Sequence, residues 1–280
     1  MVLSAGRATD IPAFHGSWFM ERLRAGRLIR VNPYNGRARR VELDRLRAVV
    51  FWTKNPAPFL PHLEELFARG LTPVFQFTLN DYEAEGWEPH VPPLAERLET
   101  FQRLAGRLAP GAVIWRFDPL ALGPGLSAEG LAGRVKALAG CLRGACERLV
   151  VSFLDLYPKV ARRLARLAVT MRPPSPEEAA IILQGLSPPG PGPDLELHTC
   201  AEAADYSALG LKHGRCIDAE LLARLRPDLA GHPELFAPGG GPPRPLKDRG
   251  QRPWCGCAPS RDVGRYDTCG HGCLYCYAGR

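Results

Sequence analysis

Short apolar runs, rich in β-branched and aromatic residues, recur along this chain, and each is followed by a longer amphipathic stretch with helical spacing. Such runs predict strands buried on both faces, as in a parallel sheet covered by helices. The predicted strands are Val2 to Ala5, Ala48 to Thr53, Val74 to Thr78, Ala112 to Phe117, Leu149 to Leu154 and Leu195 to Thr199. The predicted helices are Ser17 to Ala25, Pro58 to Ala68, Leu94 to Leu108, Ala128 to Arg143, Lys159 to Leu167 and Pro176 to Leu186. We therefore expect an α/β fold, closed as a full or partial TIM-like (β/α) barrel.

Two stretches rich in proline and glycine interrupt this alternation, Ser187 to Asp194 and Ala237 to Arg244. Both predict irregular structure, the first a surface loop and the second a separator. We expect a barrel-like body over residues 1–236, a linker over 237–251 and a cysteine-rich, cluster-binding tail over 252–280 that packs on the barrel.

The composition limits the cellular setting. The 36 Lys and Arg exceed the 29 Asp and Glu, which favours acidic partners such as nucleic acid, although the basic residues are spread along the helices. No charged leader precedes an apolar stretch at the start of the sequence, so we expect a cytoplasmic protein with no membrane partner. Nine cysteines in that setting favour metal binding over a disulfide framework.

The strongest motif is Cys269-Gly-His-Gly-Cys273-Leu-Tyr-Cys276, a C-x3-C-x2-C spacing in a glycine-bearing loop. Three cysteine ligands on a 4Fe–4S cluster leave one iron open to a small molecule. The alternative is a zinc knuckle, with Cys255, Cys257 or His271 as further ligands.

Four more cysteines stand apart from this triad and match the number of ligands that a second cluster needs. We predict an auxiliary iron–sulfur cluster on Cys200, Cys216, Cys255 and Cys257. A zinc site with the same ligands stays open, as do simple buried thiols at Cys200 and Cys216. Cys141 and Cys146 fall on a predicted helix and are interpreted as ordinary thiols.

Polar residues occur at or just after the ends of the predicted strands, where barrels carry their working residues. They are Arg7, Asp10, Lys54, Asn55, Gln76, Asn80, Arg116, Asp118, Ser152, Asp155 and Glu202. The catalytic candidates among them are Arg7, Asp10, Lys54, Gln76, Arg116 and Asp118, and Glu202 is a cofactor-binding candidate. Each has a plainer interpretation as a turn cap or a salt-bridge partner.

Several segments together support a family resemblance: Arg7 to Phe14, Phe51 to Pro56, Phe75 to Thr78, Trp115 to Pro119, Cys200 to Glu202, Trp254 to Cys257 and the triad. The chain resembles the radical S-adenosylmethionine (SAM) superfamily, and within it an uncharacterised bacterial domain-of-unknown-function family with a C-terminal triad, placed near spore photoproduct lyase. The resemblance implies that SAM chelates the open iron and is cleaved by an electron from the cluster to a 5′-deoxyadenosyl radical. It also implies that Tyr275 packs near the adenine.

The chain departs from these relatives at two points. Ala8 stands where the family has a second consecutive arginine. The triad comes last, whereas the common superfamily places it after the first strand and follows the second strand with a Gly-Gly-Glu stretch that is missing here. The interpretation therefore requires the C-terminal loop to reach the carboxyl ends of the strands.

These observations leave three functions open. The first is a radical SAM enzyme that abstracts hydrogen from a small-molecule or nucleic-acid substrate and takes electrons from a donor such as flavodoxin or ferredoxin. The second is a non-catalytic protein, stabilised by zinc or clusters, that binds nucleic acid. The third is a radical enzyme that repairs or modifies DNA or RNA.

Overall fold

The computed structural model describes residues 1–31, 36–186, 195–239 and 242–279. The strands in these ranges are β1 Val2–Ala5, β2 Arg27–Val31, β3 Ala38–Glu42, β4 Ala48–Thr53, β5 Thr72–Thr78, β6 Val113–Leu120, β7 Arg148–Phe153, β8 Glu196–Thr199, β9 Lys212–His213, β10 Phe236–Ala237, β11 Arg244–Pro245 and β12 Arg261–Asp262. The α-helices are α1 Ile11–Phe14, α2 Gly16–Arg24, α3 Leu63–Ala68, α4 Leu94–Ala105, α5 Ala128–Cys141, α6 Pro158–Arg166, α7 Pro176–Leu186 and α8 Ala219–Leu225. Short 3-10 turns lie at Ala57–His62, Ser207–Leu209 and Pro227–Leu229.

Eight strands form one parallel sheet in the order β12-β1-β4-β5-β6-β7-β8-β9. This confirms the α/β class and the parallel sheet, and all six predicted strands are present. The predicted closure into a barrel is not shown, since no ladder joins β12 to β9 within the described ranges. The two edge strands have two residues each, too few to give a periodic signal.

Both faces of the sheet are buried, which is why its strands read as continuous apolar runs. On one face Phe51 stacks on Phe75, with ring centroids 5.0 Å apart, and both pack into the core that includes helix residues such as Phe19. On the other face Val50 and its neighbours pack against residues from α8 and the cysteine-bearing tail. Tail residues therefore pack on both faces, since Val263, Cys273 and Tyr275 belong to the first core while Cys255 and Cys257 belong to the second.

The helices follow the predictions with small shifts. Helix α7 has the predicted bounds, and the other five predicted helices shift or shorten at their ends. The predicted helix from Pro58 to Ala68 begins instead as a 3-10 turn and becomes α3 at Leu63, because Pro61 lies inside the turn and has no N–H to donate. The antiparallel hairpin β2–β3 was not predicted, since its arginines mask any apolar alternation.

The C-terminal segment joins the main sheet. Strand β12 pairs in parallel with β1, with Leu3 opposite Arg261, and β10 pairs with β11 across part of the expected linker. The predicted loop Ser187 to Asp194 lies outside the described residues, as do two glycines of the second proline-rich stretch. The boundaries at residues 236 and 251 stay predictions. None of the described helices is long and apolar enough to cross a membrane.

Candidate functional site

A cavity of about 310 Å³ opens at the carboxyl ends of the parallel strands. Its walls come from the segments after β1, β4, β6, β7 and β8 and from the tail. Seven cysteines line it, and they are both predicted ligand sets: Cys269, Cys273 and Cys276, with Cys200, Cys216, Cys255 and Cys257. The loop that comes last in the sequence thus reaches the strand ends, as the interpretation required.

Five of the six catalytic candidates also line the cavity: Arg7, Asp10, Lys54, Arg116 and Asp118. Gln76 does not, because it is fully buried behind the wall, where its amide donates to the Cys216 carbonyl at 2.8 Å. Glu202 does not line it either, and its carboxylate accepts a hydrogen bond from Phe153 N at 3.0 Å.

The triad loop is attached to the first strand loop through His271. Its Nε2 lies 2.8 Å from Asp10 Oδ2 and its Nδ1 lies 3.3 Å from the His90 carbonyl oxygen. Asp10 in turn accepts from Ala13 N, where it caps α1, and from Lys54 N. Both ring nitrogens of His271 therefore lie within hydrogen-bonding distance of protein oxygens, and these contacts attach the triad loop to the first strand loop and to the segment before α4.

A buried ion pair lies beneath Cys273. Lys54 Nζ is 2.8 Å from Glu88 Oε1 and 2.9 Å from the hydroxyl of Tyr275, which itself donates to Glu88. Burial lowers the pKa of Lys54, but the charges of Glu88 and Cys273 outweigh it and the pKa is raised. Burial likewise raises the pKa of Glu88, but Lys54 and Arg97 outweigh it and the pKa is lowered. Both groups therefore stay charged, and they hold Tyr275 by its hydroxyl while the residue lines the cavity.

Arg163 of α6 holds the other end of the triad loop. Its Nη1 donates to the carbonyl oxygens of Leu274 at 3.0 Å and of Cys276 at 2.7 Å, and its Nη2 donates to Gly279 O. The side chain is buried, so these bonds are shielded from water. One guanidinium thus fixes the backbone on both sides of the last triad cysteine.

We expect Arg163→Gln to lower the free energy of unfolding by roughly 2–3 kcal/mol, since buried bonds from a charged donor are lost. The measurement is urea unfolding, with Arg162→Gln as the matched control on the same helix. The Nε of Arg162 bonds only Pro158 O of its own helix and the residue is exposed, so its replacement should cost under about 0.5 kcal/mol. Equal losses in the two variants would show that Arg163 does not anchor the loop.

The second cysteine set forms a contact cluster. Cys200 Sγ and Cys216 Sγ are 3.4 Å apart, and Cys257 Sγ accepts from Cys216 N at 3.2 Å. A hydrogen bond from the Cys257 thiol lowers the pKa of Cys255 to about 7. Arg116 Nη1 donates to Cys216 Sγ at 2.8 Å. Four thiols from distant parts of the sequence therefore meet beside one buried arginine.

The thiols are grouped but do not surround a common point. Among the described residues no group of three or more His, Cys, Asp or Glu is arranged to hold a metal ion. Proximity and donor type nevertheless suit iron–sulfur ligation, since thiolates are the usual ligands of such clusters. On the cavity wall, burial raises the pKa of Cys273 and of Cys269, so ligation at either position releases a proton.

Two arginines, Arg7 and Arg116, form cation–π contacts with the indole ring of Trp52. The guanidinium carbon of Arg7 lies 5.3 Å from the ring centroid and that of Arg116 lies 5.0 Å from it. Both terminal nitrogens of Arg116 have acceptors, since the guanidinium also donates to Asp118 and to Gln76. Burial raises the pKa of Asp118, but Arg116 and a bond from Ser152 outweigh it and lower the pKa, so this carboxylate stays ionised.

Several site residues were not predicted from the sequence. Glu88 lies in the long segment between β5 and α4, where no periodic pattern or motif marks it. Arg163 reads as one of several helical arginines. Trp52 lies within a segment that supported the resemblance, but its ring showed its partners only in the fold.

Fold and site together define an α/β protein with a thiol-lined cavity at the carboxyl ends of its parallel sheet. The chain belongs to the family described as Domain of unknown function (DUF1848), whose model matches residues 2–278. No curated protein and no solved structure matches the chain.

Proposed function

We propose that this protein is a radical SAM enzyme, a distant relative of spore photoproduct lyase, that cleaves SAM reductively and abstracts hydrogen from a substrate in the cavity. A 4Fe–4S cluster on Cys269, Cys273 and Cys276 would hold SAM on its open iron. The observation that carries the proposal is the position of this C-x3-C-x2-C loop, which lines the cavity at the strand ends although it comes last in the sequence.

When bound, the cluster would supply the one electron needed for reductive cleavage of SAM to methionine and a 5′-deoxyadenosyl radical able to abstract hydrogen from the substrate. The residues of the chain itself position Tyr275 and the triad loop and shield them from water. Lys54 and Glu88 hold Tyr275 beneath the loop, and the tyrosine ring is where we place the adenine. His271 and Arg163 fix the loop backbone on the two sides of Cys273.

We also propose an auxiliary 4Fe–4S cluster on Cys200, Cys216, Cys255 and Cys257. Contact between these thiols supports it, and so does the bond from Arg116 to Cys216, because hydrogen bonds to cluster sulfurs are a usual means of setting the reduction potential. This cluster would carry electrons or bind substrate.

The eight-stranded sheet fits a partial barrel, with the cysteine-rich tail packed on it. Two separate apolar cores lie on the two faces, and the one that includes Cys216, Cys255 and Cys257 is the smaller. Asp10, Arg116 and Asp118 would then form the polar wall of the mouth, with Gln76 supporting Arg116 from behind. Glu202 remains a candidate for cofactor binding from outside the wall.

The cavity volume of about 310 Å³ is near the lower limit for ligand pockets, roughly 300–1,000 Å³. Because the clusters and SAM would share this space, its volume does not by itself set the size of the substrate, which we take to be a small molecule or a nucleic acid. The electron would come from a low-potential carrier of the flavodoxin or ferredoxin class.

Metal content tests the two-cluster assignment. We expect anaerobically reconstituted protein to contain about eight iron atoms per chain and the Cys200→Ser/Cys255→Ser double variant about four, because each cubane holds four and two remaining thiols do not retain the auxiliary one. Cys141→Ser is the control, since Cys141 is exposed on α5 and is not among the cavity-lining residues. Unchanged iron in the double variant would contradict the auxiliary cluster, and stoichiometric zinc without iron would contradict both clusters.

A further inference from the structure

We propose that the substrate carries a carboxylate or phosphate group and that Arg7 binds this group inside the cavity. The inference rests on the proposed function only in treating the ligand of the cavity as its substrate. It adds a chemical class that the cysteine motif does not specify.

The first observation is an arginine whose donors lack partners. Arg7 lines the cavity, and its Nε and Nη2 atoms are buried with no hydrogen-bond partner. A guanidinium is always ionised and its donors form a planar fork that matches a carboxylate or phosphate. Arg7 is half-buried, and buried donors without acceptors are costly, so an anionic ligand is the group that would complete this site.

The second observation is the contrast with Arg116. Both arginines stack on Trp52, but Arg116 donates to Asp118, Gln76 and Cys216. Arg7 has the same ring beneath it and lacks such acceptors. The ring therefore fixes the orientation of Arg7 while leaving part of its hydrogen-bonding edge for a ligand.

Asp262 is the acid that acts on Arg7 by charge, but it does not bond the guanidinium. Within the described residues no carboxylate oxygen lies within 4.0 Å of its guanidinium nitrogens as an ion pair. The nearby Asp262 uses Oδ1 to accept from Ser4 Oγ at 3.0 Å and from the backbone N of Arg7 at 3.4 Å. Asp262 thus positions the Arg7 backbone and acts on the guanidinium by charge, while Nε and Nη2 keep no hydrogen-bond partner.

The position of Arg7 also assigns the anion to the substrate rather than to SAM. Its carbonyl accepts from the Tyr277 hydroxyl at 3.2 Å, next to the last triad cysteine, and its guanidinium shares Trp52 with the arginine that bonds Cys216. A ligand on Arg7 therefore lies between the two cysteine sets. The carboxylate of SAM is expected on the open iron of the triad cluster, which leaves Arg7 for a second molecule.

Isothermal titration of anaerobically reconstituted protein with inorganic phosphate, with acetate and with SAM tests this assignment. We expect Arg7→Gln to weaken binding of phosphate or acetate roughly 10- to 100-fold, the effect of losing a charge-assisted hydrogen bond. The affinity of Arg7→Lys for these anions should lie between those of wild type and Arg7→Gln, because lysine keeps the positive charge but lacks the planar pair of donors of the guanidinium. Arg103→Gln, at an exposed site on α4, is the control and should bind as wild type does.

Equal anion affinity in wild type and Arg7→Gln would overturn the proposal. A loss of SAM affinity in Arg7→Gln with anion affinity retained would also overturn it, because Arg7 would then serve SAM. Anion binding by Arg7 can be tested separately from the radical chemistry of the proposed function. Protein that binds anions through Arg7 but forms no 5′-deoxyadenosine would refute the radical chemistry alone.

Discussion

Cys273→Ala is expected to reduce 5′-deoxyadenosine formation to the rate measured without protein. Cys273 is the middle cysteine of the triad and a proposed cluster ligand, is buried, and lies next to the charge of Lys54. Two remaining thiols cannot hold the cluster and keep one iron open for SAM. The measurement is product formation from SAM with dithionite under anaerobic conditions.

Cys141→Ala is the matched control for this prediction, because it removes a thiol of the same chain from an exposed helical site. We expect full product formation there, and circular dichroism should show that both variants are folded. If Cys273→Ala formed product at the wild-type rate while remaining folded, the triad would not be the site of SAM cleavage.

Glu88→Gln is expected to lower the free energy of unfolding by about 3–5 kcal/mol, because it leaves Lys54 charged and unpaired in the interior. Lys54 and Glu88 are 2.8 Å apart with side chains 14% and 5% exposed, and Arg97 Nη1 lies 3.8 Å from Glu88. Glutamine has nearly the same shape, so the change removes charge and little packing. The measurement is denaturant unfolding at neutral pH.

Glu64→Gln is the control, since Glu64 pairs with Arg107 at 2.7 Å but is 75% exposed. Its loss should cost under about 1 kcal/mol. Because the pKa of Glu88 is lowered in the folded state, its stabilisation is present above its unfolded pKa and is lost as pH falls through the folded value. The difference between wild type and Glu88→Gln should therefore shrink in acid, and a difference independent of pH would contradict the ion-pair account.

The sheet could be predicted because burial on both faces leaves a direct record in the sequence. Strand β4 was predicted with its exact bounds, since Ala48 to Thr53 has no polar alternation to confuse it. Strands β9 and β12 could not be predicted, because each has only two residues. Such a short strand is held by hydrogen bonds to the neighbouring strand and needs no apolar pattern in its own sequence. Closure into a barrel depends on the pairing of such edges, so it lay beyond sequence reasoning.

The candidate site was predictable where chemistry depends on residue type and spacing. The two cysteine sets lie on one cavity, and five of the six polar candidates join them, because the carboxyl ends of parallel strands meet at one edge. Contacts across the fold were not predictable. The Lys54–Glu88 pair joins a strand end to a loop without any motif, and His271, a possible zinc ligand by sequence, is held by Asp10.

The proposed function depends on reductive cleavage of SAM at the triad. The most direct test is anaerobic incubation of the reconstituted wild-type protein with SAM and dithionite, followed by quantification of 5′-deoxyadenosine and methionine. The account predicts that both products form in equal amounts and only when reductant is present. Protein with its full content of iron that forms neither product would contradict it.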